Sequence, residues 1–165
     1  EALGVSVEVV QAIEAVESGG KASAIRFEPH VFLRKRPDLD SAIPFTPGPK
    51  GFSITRVETN REAFEHAFVL DPASAVASTS WGLYQVMGSH LLDLFSSPQS
   101  AADSFYADPE GVSYKLFVKW FEASPRALAA AKAQDWEKLA RYYNGPGQVA
   151  YYSAALRREY EKVTA

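Results

Sequence analysis

Apolar side chains recur at helical spacing along most of this 165-residue chain, and helix-start and helix-stop signals separate the stripes. The first stripe contains Val9, Ile13 and Val16, with Ser6 before it and two glycines, at positions 19 and 20, after it. Serine caps helix N-termini, and glycine is the usual residue just beyond a C-terminus. The pattern predicts a first helix whose last turn holds Glu17.

At positions 71–72, 97–98 and 124–125, Asp or Ser directly precedes proline. These residue types cap helices, and proline is favoured at the first helical position. Amphipathic stripes that predict further helices cover residues 63–70, 112–121, 136–143 and 149–160. We therefore expect a mostly α domain of several short helices that spans residues 1–165.

One long segment interrupts this helical pattern. Residues 47–51 read Pro-Gly-Pro-Lys-Gly within a stretch, 37–60, that we interpret as irregular. Loops of this length in compact domains are usually functional. We expect an irregular or β-hairpin excursion, with strands around residues 52–57, a cleft beside it, and Asn60 as the cap of the next helix. Residues 81–88 are expected to form a short helix or a turn.

Composition and charge exclude several function classes. Seventeen basic and 20 acidic residues give a net charge of −3, which argues against nucleic acid as a partner because phosphate contacts need a basic surface. With 47% hydrophobic and 22% charged residues, the chain is expected to be globular. No apolar run approaches the roughly 20 residues that span a bilayer. We therefore expect no membrane insertion, and no signal peptide is visible.

The sequence also contains no motif for a metal site or for a cofactor. The chain has no cysteine, and His30, His66 and His90 are scattered without metal-ligand spacing. A nucleophile elbow, a phosphate loop and a dinucleotide fingerprint are all absent from the sequence. We expect neither a metal nor a cofactor.

Glu17 is the candidate acid. Cleavage of a glycosidic bond needs a group that protonates the leaving oxygen, and glutamate does so near neutral pH when its pKa is raised. Glu17 ends an apolar helix and is followed by small residues that leave room for a sugar. The helix C-terminus disfavours a negative charge and pushes the pKa in the same direction. An exposed glutamate at a helix end is nevertheless commoner than a catalytic one.

Three segments in order strengthen the case for Glu17. Residues 16–20 (Val-Glu-Ser-Gly-Gly) resemble the Glu-Ser element of the lytic transglycosylase and goose-type lysozyme superfamily. Residues 82–87 (Gly-Leu-Tyr-Gln-Val-Met) are similar to its Gly-Leu-Met-Gln element. Residues 143–145 (Tyr-Asn-Gly) are similar to its Ala-Tyr-Asn-Ala-Gly element. One such motif could occur by chance, but three in the same order are hard to explain that way.

A narrower resemblance covers almost the whole chain. Segments 15–19, 26–32, 80–88 and 143–147 are similar to the N-acetylmuramidase domain of modular bacteriophage endolysins. The resemblance implies a lysozyme-like fold and cleavage of the bond from N-acetylmuramic acid to N-acetylglucosamine, with Glu17 as the catalytic residue. Tyr84 stands where the family often has phenylalanine, and the 47–51 loop has no counterpart that we can match.

The second carboxylate stays open at this point. Glu28 is the first candidate because its segment belongs to the family pattern, but it is equally suited to pair with Arg26 or to cap a helix. Asp71 is weaker, since Asp-Pro often only starts a helix. Thr79 or Ser80 is a candidate to orient the attacking water.

The motifs also suggest residues that bind substrate: Ser80, Trp81, Tyr84, Gln85, Tyr143 and Asn144. Tyr84 and Gln85 would line the floor of the cleft, or simply pack a helix. Tyr143 would hydrogen-bond Glu17, or serve as a core tyrosine. Trp81 would stack on a sugar, or pack beneath the cleft.

The expected activity is hydrolysis of peptidoglycan glycan strands by a monomer. A lytic transglycosylase that releases 1,6-anhydro-muramic products is the nearest alternative. A catalytically silent wall-binding module and a chitinase-like enzyme are the others. The site of action would be the bacterial cell wall, in the periplasm or outside the cell after release or delivery. A phage endolysin, a delivered effector and a host enzyme would share these features.

Overall fold

The computed structural model describes residues 3–42 and 59–165. The α-helices are α1 (Val7–Glu17), α2 (Pro29–Lys35), α3 (Asn60–Leu70), α4 (Pro72–Ala77), α5 (Ser89–Leu92), α6 (Pro98–Ala107), α7 (Pro109–Glu122), α8 (Pro125–Lys132), α9 (Trp136–Tyr143) and α10 (Val149–Thr164). Two 3₁₀ helices, η1 (Pro37–Ala42) and η2 (Pro146–Gln148), and three strands, β1 (Ile25–Phe27), β2 (Thr79–Trp81) and β3 (Val86–Met87), complete the order. The expected mostly α fold is confirmed. The Pro-Gly cluster at 47–51 and the hairpin expected at 52–57 lie outside the described residues.

The helix starts follow the predicted caps, with two differences. The side chain of Asp71 accepts a hydrogen bond from the Ser74 amide at 2.9 Å and starts α4. Pro125 begins α8 as expected, although no side-chain cap bond is described for the residue before it. The cap of α3 is Thr59, which accepts from the Glu62 amide at 3.2 Å, and Asn60 is the first helical residue. Our assignment of Asn60 as the cap was therefore wrong by one position.

A small antiparallel sheet with strand order β1-β2-β3 lies among the helices. The segment expected to be a helix or turn is instead a hairpin, in which β2 and β3 are joined by a turn at residues 82–85. Gly82 has a φ of +71°, and a Cβ there would lie 1.8 Å from the Ser113 hydroxyl, so the turn requires glycine. The sequence revealed the turn but not the strands, which are too short to show alternation.

The sheet has one buried side and one side that carries an exposed cation. Phe27 and Thr79 pair across β1 and β2, and both are almost fully buried. Arg26 and Ser80 form the next pair and face the opposite side, because successive side chains of a strand alternate. The Arg26 side chain is 55% exposed. This alternation directs a cation toward the open side of the sheet.

The core forms around Trp81, which is fully buried. The Phe64 ring meets the Trp81 ring edge-on at 5.1 Å, and the Phe105 ring does so at 4.9 Å. The same continuous cluster of buried side chains extends from Val5 to Leu156. Among the helices in residues 3–42 and 59–165, none combines the length and apolarity that crossing a bilayer requires.

Candidate active site

Glu17 is the last residue of α1 and meets Asn144 at the end of α9. The Asn144 amide donates from Nδ2 to Glu17 Oε1 at 2.7 Å. Burial raises the pKa of Glu17, while the Asn144 hydrogen bond and the positive charge of Arg26 oppose that rise. The carboxyl thus keeps its proton at a pH where an exposed glutamate has lost it, as a general acid requires.

The chain ends α9 at Asn144 and turns sharply. Gly145 follows with a φ of +85°, a left-handed conformation that favours glycine, and η2 leads from there into α10. Asn144 Oδ1 is buried and has no hydrogen-bond partner among the described residues. An unmatched buried acceptor costs about 1–3 kcal/mol. This oxygen is suited to accept the N–H of an acetamido group, which supports the expected binding role of Asn144.

Tyr143 does not make the contact that we expected. Its hydroxyl donates to the backbone carbonyl of Tyr84 rather than to Glu17. Its ring packs edge-on against Trp120 at 4.6 Å. Burial raises the pKa of Tyr143 well above its usual value, and the nearby charge of Glu17 acts in the same direction, so the hydroxyl stays protonated. Tyr143 anchors the end of α9, and Asn144 is the residue that holds the carboxyl.

Tyr84 contributes its backbone to this site. Its ring stacks on Phe117 with centroids 4.0 Å apart, and the residue is only 5% exposed. Burial raises the pKa of the Tyr84 hydroxyl to about 12. A substrate-binding role for its side chain stays a prediction, and the burial of the ring favours the alternative that it packs in the core. The carbonyl of the same residue fixes Tyr143.

Gln85 has an unusual positive φ of +49° and holds the hairpin turn in place. Its side-chain nitrogen donates to the Gly82 carbonyl at 2.9 Å and to the Ala24 carbonyl at 3.2 Å. These two bonds fasten the turn to the segment that leads into β1. The residue thus positions the sheet, and a direct contact between Gln85 and substrate stays a prediction.

Trp81 packs beneath the site and does not reach a sugar. It is 0% exposed, and its indole nitrogen donates to the Val76 carbonyl at 3.1 Å. Its assignment as a substrate-binding residue was therefore wrong. The structure places the ring in the core, as the alternative of a packing role required.

The two hydroxyls of β2 differ in their surroundings. Thr79 is fully buried and donates to the Ala75 carbonyl at 2.9 Å, so it does not orient a water in the cleft. Ser80 is 8% exposed on the face that it shares with Arg26, and its hydroxyl donates to the Met87 sulfur at 3.3 Å. A role for Ser80 toward water or substrate stays a prediction.

Glu28 lies between two basic side chains. The Arg26 Nε is 3.1 Å from Glu28 Oε1, and His30 Nδ1 is 3.6 Å from Glu28 Oε2. Burial raises the pKa of Glu28, and the charge of Arg26 opposes this. The same Arg26 acts on Glu17, so one cation is shared by both carboxyls. The pairing with Arg26 is formed, and the catalytic role of Glu28 stays a prediction.

Asp71, the weaker carboxylate candidate, has a structural environment. It caps α4 and accepts from Arg36 Nη1 at 2.6 Å. These bonds lower its pKa, which is the opposite of what a general acid needs. Across residues 3–42 and 59–165, no three His, Asp or Glu side chains cluster as a possible metal site.

Two residues near Glu17 were missed by the sequence reasoning. Arg26 was considered only as a partner of Glu28, although the apolar-polar-apolar order of residues 25–27 could have placed it on the open face. Tyr152 on α10 was assigned only to a helical stripe. Its hydroxyl is close enough to Glu17 and Arg26 for both to shift its pKa, and no local pattern indicates this.

Comparison with known proteins agrees with this geometry. A sequence model of the N-acetylmuramidase family matches residues 6–164. The crystal structure of the Burkholderia AP3 phage endolysin is similar, with a TM-score of 0.75 and 25% identity over 98% of this chain. The chain spans 66% of that endolysin chain. None of the curated proteins compared with the chain matches it. The chain belongs to the N-acetylmuramidase family.

Proposed function

We propose that the chain hydrolyses the glycosidic bond between N-acetylmuramic acid and N-acetylglucosamine, with Glu17 as the general acid. The observation that carries the proposal is the carboxyl of Glu17, buried at the end of α1 and held by Asn144 at 2.7 Å. Burial supplies the raised pKa, and the hydrogen bond fixes the carboxyl in one orientation.

The proton transfer accounts for both influences on Glu17. The protonated carboxyl gives its proton to the leaving glycosidic oxygen and becomes a carboxylate. The Asn144 amide and the charge of Arg26 then stabilise that carboxylate, since both favour its ionised form. The groups that limit the rise in pKa therefore also stabilise the charge that develops in the reaction.

We propose Glu28 as the second carboxylate, acting as the base that activates water. Two observations support this role: its side chain is only 13% exposed, and its partner Arg26 also acts on Glu17. Burial raises the pKa of Glu28, and the charge of Arg26 opposes that rise and so favours the ionised form, which accepts a proton from water. Ser80, on the same face as Arg26, would orient that water.

Product analysis tests the reaction class. Digestion of purified peptidoglycan followed by mass spectrometry is expected to give reducing N-acetylmuramic ends. Ends of the 1,6-anhydro-muramic type would instead identify a lytic transglycosylase, in which the muramic 6-hydroxyl attacks in place of water. Efficient cleavage of chitin oligomers that lack muramic acid would favour a chitinase-like enzyme.

Substitution of Glu17 tests the assignment of the acid. Glu17→Gln keeps an oxygen to accept the Asn144 hydrogen bond but has no proton to give, so we expect lysis of permeabilised cells to fall by about 10²–10⁴-fold. Glu14→Gln, one turn earlier on α1, is the matched control and is expected to lyse like the unchanged protein. Equal lysis by the Glu17 variant would show that the acid is elsewhere, and no lysis by either protein would identify a silent wall-binding module.

We also propose that residues 1–165 act as one catalytic domain and as a monomer on peptidoglycan glycan strands. The continuous core from Val5 to Leu156 supports the single domain. The net charge of −3 gives no basis for binding nucleic acid, and we propose no insertion into membranes. The site of action would be the periplasm, or the outer side of the cell after release or delivery.

A further inference from the structure

Two consecutive tyrosines lie in the first turns of α10, next to the site. The C-terminal end of α1 meets this part of the chain, because Glu17 bonds to Asn144 only a short turn before α10 begins. Tyr152 is half-buried there. Burial raises the pKa of Tyr152, the negative charge of Glu17 adds to this and the charge of Arg26 opposes it. Because α10 packs against α1 and begins shortly after Asn144, Tyr152 lies beside the end of α1 that carries Glu17.

Tyr151 extends this arrangement into solvent. It is 66% exposed, and its ring lies 5.2 Å from the Tyr152 ring at an angle of 86°. The two rings meet at nearly a right angle, with the Tyr152 ring partly buried and the Tyr151 ring open to solvent. Packing does not account for the open ring, since two-thirds of the residue contacts water.

We propose that Tyr151 and Tyr152 form a sugar-binding subsite that holds one N-acetylhexosamine of the glycan strand next to the scissile bond. This inference rests on the proposed function. A pyranose presents a face of C–H groups that packs well on an aromatic ring, while its hydroxyl and acetamido groups need polar partners. Tyr151 supplies the exposed ring face, and the Tyr152 hydroxyl supplies the polar contact toward Glu17.

The first test measures kcat and KM on soluble glycan strands for Tyr151→Ala and Tyr151→Phe. Loss of the ring is expected to raise KM by about 3- to 10-fold with kcat changed less than about twofold, since an aromatic contact is worth about 0.5–1.5 kcal/mol. Tyr151→Phe keeps the ring and is expected to behave like the unchanged protein. Tyr142→Ala is the matched control, since Tyr142 is also exposed, at 39%, but contacts the start of α8.

The second test separates this subsite from the catalytic claim. Binding of purified peptidoglycan tetrasaccharide is measured by calorimetry in the Glu17→Gln background, where turnover does not interfere. Tyr151→Ala is expected to weaken binding by the same 3- to 10-fold or so, and Tyr152→Phe to weaken it by a few-fold. If Tyr151→Ala and Tyr142→Ala bind alike and share one KM, the subsite is wrong. Undiminished lysis by Glu17→Gln would instead refute the proposed acid, and the comparison of KM values in the first test would still decide the subsite.

Discussion

The buried carboxyl of Glu17 is expected to lower the free energy of unfolding at neutral pH. Its pKa is higher in the folded chain than in the unfolded one, so folding disfavours its charged form. Below the unfolded value of about 4.5 the carboxyl is protonated in both states, and no cost arises. As the pH rises through the folded pKa, the buried carboxylate becomes charged and the full cost develops. Glu17→Gln removes this cost and keeps an acceptor for Asn144.

The expected gain in the free energy of unfolding scales with the rise in the pKa of Glu17 on folding. Each unit by which folding raises a carboxyl pKa lowers the unfolding free energy by about 1.4 kcal/mol at high pH. The Asn144 hydrogen bond and Arg26 offset part of the effect of burial, and the rise that remains sets the stability gained by Glu17→Gln at pH 7. For a chain of this length, each 1 kcal/mol or so of that gain would raise Tm by about 2–4 °C. Scanning calorimetry at pH 4 and pH 7 measures both the gain and its dependence on pH.

Asp71→Asn provides a control with the opposite sign. Its pKa is lowered by the Ser74 amide and by Arg36, so the charged form stabilises the fold and its neutral replacement is expected to lower Tm at pH 7. That loss should shrink as the pH falls through the folded pKa of Asp71. A Glu17→Gln variant that is less stable than the parent at pH 7, or whose gain is the same at pH 4, would refute the reasoning.

Three further substitutions test other parts of the site. Glu28→Gln is expected to cut turnover by about a hundredfold or more with Tm nearly unchanged, and a large loss of Tm would mark Glu28 as structural. Asn144→Ala removes a hydrogen bond that lowers the pKa of Glu17. The alkaline limb of the pH-rate profile should therefore move to higher pH while turnover falls. An unmoved limb would contradict the assignment of Glu17 as the general acid. Gly82→Ala places a Cβ 1.8 Å from the Ser113 hydroxyl at a φ of +71°. It should lower the unfolding free energy by about 2 kcal/mol or more, which is measured as a lower Tm. An unchanged Tm would show that the turn relaxes to admit the methyl group.

Helices and their limits were predictable because their signals are local. The serine before α1 and the aspartates before α4 and α9 lie next to the amides that they cap. Strands β2 and β3 were missed because they have only three and two residues, too few for a period-two pattern. The other partner of β2 is β1, more than fifty residues earlier along the chain, and no local window contains that information.

The site was predictable in its members but less so in their contacts. The motifs identified Glu17 and Asn144 as candidate site residues, and the structure joins them by a hydrogen bond. They did not distinguish a side chain that faces the cleft from one that supports it, so Trp81 was assigned to substrate although it is fully buried. Which face a residue presents depends on the packing of distant helices, which a short motif does not record.

The bond from the Tyr143 hydroxyl to the carbonyl of Tyr84 has a consequence for how this site tolerates change. Every amino acid carries a carbonyl, so the identity of residue 84 can drift between aromatic types as long as its ring still fills the space on Phe117. Phenylalanine meets that condition as well as tyrosine does. Position 143 has no such latitude, because only its hydroxyl makes the link. Among relatives, variation at residue 84 should therefore leave activity intact, whereas Tyr143→Phe should loosen the end of α9 and, with it, the hydrogen bond from Asn144 to the carboxyl of Glu17.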